Sequence, residues 1–184
     1  MGISRPRRPG AVLAVALALA LSGCGGSSGV PSATYVRSIC GALTGWRNSV
    51  QTAGGQLETG GKSKSLTQAK QQTSAFVASL LRATTSAATA LKAAGVPSVS
   101  GGKQVSTGLV DAFEGAQRSL AGAASQASLM PTTSEPAFVA ASNQVTAAVR
   151  SALTSMNDVS PSTNPQLRNE VDNEPQCSAL RVGG

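Results

Sequence analysis

Thr34-Tyr-Val-Arg-Ser-Ile-Cys-Gly-Ala-Leu-Thr-Gly-Trp-Arg-Asn-Ser-Val-Gln-Thr-Ala-Gly-Gly-Gln-Leu-Glu58 is the stretch on which the fold turns. Val36, Ile39, Leu43, Trp46, Val50, Ala53 and Leu57 follow one another in alternating steps of three and four. That spacing places them on one face of a helix, as an unbroken heptad stripe. Gly54-Gly55 weaken its end and Gly60-Gly61 terminate it.

The same period recurs three times downstream. A second helix begins at Ser65-Leu-Thr-Gln68, where Ser65 and Gln68 can satisfy orphan amides as a capping box. Its apolar face is Phe76, Val77, Leu80, Leu81, Thr84, Ala87, Ala88 and Leu91. Gly95 and Pro97 stop it. A third helix follows Gly101-Gly102, faced by Val105, Leu109, Ala112, Phe113, Ala116, Leu120, Ala123 and Ala127, and ends at Met130-Pro131. A fourth starts near Ser134-Glu135-Pro136, where proline is tolerated in a first turn. Its stripe is Phe138, Val145, Val149, Ala152 and Met156, and Pro161 closes it. Asn164-Pro165 opens a short fifth helix holding Leu167 and Val171, before Pro175 and Cys177. No alternating strand pattern competes. The expected fold is all-α, an antiparallel up-down four-helix bundle with a short fifth C-terminal helix.

The beginning of the chain has another character. Arg5, Arg7 and Arg8 precede the apolar run Ala11–Leu21, and Ser22-Gly23-Cys24 follows. Eleven apolar residues are too few for a membrane-spanning helix, which needs about 20. They suit the core of a signal peptide. Leu21-Ser22-Gly23-Cys24 resembles the lipobox of bacterial lipoproteins. The resemblance implies cleavage before Cys24 and addition of a diacylglyceryl unit to its thiol. Arg7-Arg8 could also suggest twin-arginine export, but Pro9-Gly10 follows and no further motif appears. The expected organisation is therefore a signal peptide over residues 1–23, a flexible tether over 24–32 and a helical domain over 33–184. Removing 23 residues from 184 leaves 161, the size of one domain.

Alanine, Ser, Thr and Gly dominate that domain, and aromatic residues are only 3% of the chain. Loss of three arginines with the leader lowers the formal charge from +7 to +4. The remaining cations are scattered, without the clustered basic face of a nucleic-acid-binding protein. Histidine is absent from the sequence. That removes the commonest general base, the usual partner of a Ser or Cys nucleophile, and most transition-metal sites.

Three cysteines are present. With Cys24 lipidated, Cys40 and Cys177 remain as an even pair in an exported compartment that permits disulfides. A Cys40–Cys177 bridge is expected, the alternative being two free thiols. In an up-down path, the start of the first helix and the end of the fourth share one end of the bundle. That end also receives the tether and the Gly95–Gly102 loop. The loops at 54–65 and 130–135 lie at the other, membrane-distal end.

Other candidates have plainer readings. Asp111 and Glu114 lie three apart on one helical face, and the di-metal bundle motif would need Glu-x-x-His. Glu170, Asp172 and Glu174 alternate without the spacing of an EF-hand loop. Lys62, Lys64 and Lys70 cluster at the distal loop and could greet anionic polymer or headgroups. All three sets read first as solvated polar faces. No catalytic residue, metal site or cofactor is assigned.

The Ala/Gly/Thr bias, with Leu91-Lys-Ala-Ala-Gly-Val-Pro97 leading into Gly101-Gly-Lys103, looks like the small Ala-rich lipoproteins of high-GC Gram-positive bacteria. The resemblance implies the outer face of the cytoplasmic membrane and carries over no functional residue except Cys24. The expected function is a non-enzymatic, membrane-anchored envelope module, partnered by the membrane through its lipid and by an envelope protein, with no nucleic acid. The alternative is a carrier or sensor of an apolar ligand held between the helices.

Overall fold

A computed structural model of the chain describes residues 29–59, 63, 65–157 and 164–181. The helices among those residues are α1 (Ser32–Thr59), α2 (Leu66–Ala93), α3 (Gly102–Leu129), α4 (Glu135–Asn157), α5 (Pro165–Asn173) and α6 (Pro175–Arg181). The first four are the expected bundle helices. Ser65 caps α2 by accepting from the Gln68 amide at 3.2 Å, and Glu135 places a carboxylate in the first turn of α4, where the helix dipole favours it. Asn164 caps α5 by accepting from the Gln166 amide at 2.9 Å, with Pro165 behind it in the first turn.

Two boundaries differ from the sequence reading. Helix α1 begins at Ser32, two residues before Thr34. The C-terminal segment forms a second short helix, α6, beginning at Pro175, where the sequence reading places no helix after the fifth. Proline has no amide to lose in a first helical turn, so it starts a helix as readily as it ends one.

Helix α3 is central and packs on both α2 and α4. Its buried face is Ser106, Leu109, Phe113, Ala116, Leu120, Ala123 and Ala127, an alternation of three and four along the whole helix. Large side chains alternate with alanine, which lets neighbouring helices approach closely while leucine and phenylalanine fill the space between. On α4 every residue of the expected stripe is buried, from Phe138 to Met156.

Helix α1 departs from the closed arrangement. It packs against α2, α5 and α6 and meets α3 through Trp46 and Tyr35, but it does not pack along α4. Tyr35, Val36, Ile39 and Cys40 are buried, whereas Leu43, Trp46 and Val50 are only partly covered, and Leu57 is 40% exposed. The stripe is thus sealed where α5 and α6 flank it and opens toward the distal end.

Trp46 sits on this stripe. Its indole Nε1 donates to Thr84 Oγ1 at 3.2 Å, and its ring meets Phe113 edge-on, with centroids 5.6 Å apart. Thr84 is 1% exposed, so its hydroxyl is the polar partner a half-buried indole needs. Replacing Thr84 with Val keeps the shape and removes the acceptor. The expected cost is about 1–2 kcal/mol, read as a lowered urea midpoint. An unchanged midpoint would assign Trp46 N–H to water instead.

A candidate anchoring clasp and the interhelical grooves

Cys24 lies outside the described residues; Val30, further along the expected tether, is bonded into the loop between α2 and α3. Val30 and Pro97 form a parallel bridge. The Val30 amide donates to Val96 O at 2.7 Å, and the Ser98 amide donates to Val30 O at 2.8 Å. Ser98 Oγ also donates to Val30 O, at 3.1 Å. The described part of the expected tether is therefore bonded to the loop between α2 and α3.

That loop is shaped by glycine. Gly95 and Gly101 have φ of 77° and 71°, the left-handed region that glycine enters without a steric penalty. A Cβ on Gly29 would come within 2.9 Å of Ser98 backbone atoms, and one on Gly102 would come within 2.2 Å of Pro97 O. Ser106 Oγ donates to Gly95 O at 2.7 Å, fastening the loop to α3. Asn164 Nδ2 donates to Ser100 O at 2.9 Å, and the Ser100 amide donates to Gln166 Oε1 at 2.8 Å. The entry of the chain, the α2–α3 loop and the start of α5 are one hydrogen-bonded clasp.

The disulfide closes the same end. Cys40 on α1 and Cys177 on α6 are bonded, with Cα atoms 5.0 Å apart, and both are buried. Thr44 Oγ1 donates to Gln176 O at 3.1 Å, and Arg47 donates to Ala179 O and Leu180 O at 2.8 and 3.0 Å. Arg47 thereby satisfies the last carbonyls of α6, which a helix end leaves without internal partners.

The acidic candidates do not converge. Glu114 pairs with Lys92 on α2, and that ammonium holds its carboxyl below the usual range, first through the hydrogen bond and then through charge. Asp111 is exposed beside it. Glu170 accepts from Ser32 Oγ at 3.3 Å, and Glu174 pairs with Arg37 at 3.5 Å. These two carboxylates hold α5 and α6 to α1. Among the described residues no group of three or more Cys, Asp or Glu side chains is placed to hold a metal ion. Lys62 and Lys64 lie outside the described residues, and Lys70 is half-buried on α2.

Tyr35 is 1% exposed at the clasp. Burial raises its phenol above the ordinary value of 10.0, and a hydrogen bond with Ser106 works against the shift. The folded protein keeps this proton to higher pH than the unfolded chain. The stabilising difference is intact below about pH 10 and is lost as the pH rises above it. Tyr35→Phe should cost about 1 kcal/mol at pH 7, and the gap from the parent should narrow above pH 10. Urea titrations at pH 7 and 11 read this directly; parallel losses in both proteins would remove Tyr35 from the alkaline transition.

Among the hollows on the surface of the described residues, three bear on function. A shallow groove of about 730 Å³ runs between α1 and α2, lined mostly by Gly, Ala, Ser and Thr, with Trp46 and Arg82 among them. A second, of about 680 Å³, lies on the clasp itself. The third, of about 320 Å³, is a cleft at the distal end where α1 and α4 part; Leu57, Phe76, Val77, Val145 and Val149 line it, with Thr73, Ser142 and Thr146. The sequence stripes contained all of its apolar residues, but only the departure of α1 from α4 leaves them open. The sequence marks Gly95, Gly101 and Gly102 as helix boundaries, but neither Gly29 and Val30 nor the close backbone approach between these segments.

Among the described residues no helix is long and apolar enough to cross a membrane. No family model, curated protein or solved structure matches the chain.

Proposed function

We propose that this protein is a lipid-anchored module on the extracytoplasmic face of the cell membrane, acting by non-catalytic binding to another envelope component. The basic segment, the short apolar run and Leu21-Ser22-Gly23-Cys24 support the anchor. The clasp gives that anchor a direction. Five residues lie between Cys24 and Val30, and the six steps from one to the other, at roughly 3.3–3.6 Å each, reach about 20 Å. A 28-residue helix such as α3 extends about 42 Å from there. The clasp end faces the lipid and the other end is presented to the envelope.

The observation that carries the binding reading is the placement of exposed apolar side chains. Leu57 at the end of α1, Leu129 at the end of α3 and Val139 early in α4 are 40%, 80% and 49% exposed. All three belong to the distal end; the fourth large exposed apolar side chain among the described residues, Val96, lies at the clasp. Large exposed apolar side chains brought to one end of a domain mark a contact surface.

Native mass spectrometry of the protein, solubilised from its own membranes in mild detergent, tests this. The expected result is an acylated chain with a co-purifying protein that is lost in a Leu129→Glu, Val139→Glu variant. A co-purified partner that survives both changes would move the contact elsewhere. The second reading, a carrier of an apolar ligand, is favoured by the 320 Å³ distal cleft, within the size range of ligand pockets. Lipid beyond the covalent anchor in the same spectrum would favour that reading.

A further inference from the structure

The face of the clasp that the short tether turns toward the membrane has a composition of its own. Around its hollow of about 680 Å³ stand Val96, Ser98, Ser100, Lys103, Gln104 and Gln166. Val96 is 41% exposed. Lys103 is exposed, and no salt bridge engages it among the described residues. No carboxylate occurs in Val96–Gln104 or Asn164–Gln166. Of the acids on the adjoining helices, Glu114 holds Lys92, Glu174 holds Arg37 and Glu170 receives Ser32, while Asp111 lies about two turns beyond Lys103 along α3.

From this we infer that the clasp face is a second membrane contact, resting on anionic phospholipid headgroups, so that the domain stands upright on the bilayer instead of swinging on its tether. The inference rests on the anchor at Cys24. Chain length selects the occupant. With Val30 bonded into the loop, an acyl group on Cys24 brings this face within about 20 Å of the bilayer, too close for a bulky partner to intervene. Charge complementarity is the second argument. Lys103 offers a cation to lipid phosphate, an attraction of about five-fold in population for one such residue near an anionic surface. The serine and glutamine side chains suit the headgroup layer, and Val96 is an apolar side chain at its edge.

The test uses the full chain from a bacterium that acylates lipoproteins, with its disulfide intact, reconstituted into vesicles. An environment-sensitive fluorophore is placed on Gln104→Cys, or in a second protein on Thr133→Cys at the distal end. Acrylamide then probes each label from the water. In vesicles containing phosphatidylglycerol, the label at position 104 should be shielded at least three-fold relative to that at position 133. Lys103→Glu, or phosphatidylcholine alone, should abolish most of the shielding. Equal accessibility of the two labels in an acylated protein overturns the headgroup contact and leaves the anchor standing. Shielding that ignores both lipid charge and Lys103 also overturns it, as proximity from the tether alone. An intact mass without acyl groups overturns the anchor, and the inference with it.

Discussion

Replacing Cys40 and Cys177 together by alanine should lower the thermal midpoint of the protein by roughly 10–20 °C. The bridge joins residues 137 apart in sequence. In the chain-entropy view, closing so long a loop in the unfolded state is worth about 4–5 kcal/mol, a large fraction of the stability of a typical domain. The native side of the balance adds to the effect. Helices α5 and α6 together have few buried apolar residues, chiefly Leu167 and Cys177, with Val171 and Leu180 partly covered. Their other attachments include the carbonyl contacts from Thr44 and Arg47, the pairs from Ser32 and Arg37, and the bonds of Asn164 and Gln166 with Ser100. Exposed ion pairs of this kind contribute little. Without the bridge, the C-terminal helices should lose amide protection before the rest of the bundle, and the α1 stripe should lose its cover. Thermal unfolding by circular dichroism, together with hydrogen exchange, measures both. A shift below 3 °C with unchanged protection in α5 and α6 would mean that packing alone holds them.

The second large effect is expected at Gly102, and its sign is the informative part. Alanine is ordinarily the better helix residue by about 1 kcal/mol, and Gly102 is the first residue of α3. At this position, however, a Cβ would meet Pro97 O at 2.2 Å and Pro97 Cγ at 3.0 Å. Pro97 cannot retreat freely, because Val30 is paired to the residues on either side of it. Gly102→Ala should therefore destabilise by about 3 kcal/mol, at the upper end of overpacking costs, and should loosen the Val30 pairing. Gly122→Ala on the same helix is the control: nothing lies within 4 Å of its Cβ, and the change should stabilise by about 0.5–1 kcal/mol. Urea midpoints of the two variants should move in opposite directions. Movement in the same direction would show that helix propensity, and not the clasp, decides the outcome at Gly102.

Both predictions concern the clasp end, where sequence and structure divide most clearly. The stripes of α2, α3 and α4 are legible because a helix has one period, and an apolar face repeating at that period must be buried wherever its neighbour comes from. The Cys40–Cys177 pairing is legible by elimination once Cys24 is given to lipid. The pairing of Val30 with Pro97 leaves no such trace. A single backbone bridge makes no demand on side-chain pattern, and only a backbone already folded around it shows why Gly29 and Gly102 must lack a Cβ. Helix α6 was hidden for a related reason, since a proline that can stop one helix also fits the first turn of the next.

The distal cleft divides in the same way. Leu57, Phe76, Val77, Val145 and Val149 were all on apolar faces in the sequence, and each face implied a neighbour without saying which. By itself the sequence determined an all-α chain of four amphipathic helices, with one disulfide pair and an expected lipid anchor, because periodicity, caps and cysteine number are local or countable properties. Only the tertiary structure decided that α5 and α6 flank α1 while α4 keeps to α3. That choice depends on the summed packing of many small side chains from distant parts of the chain, and no single stretch of sequence contains it.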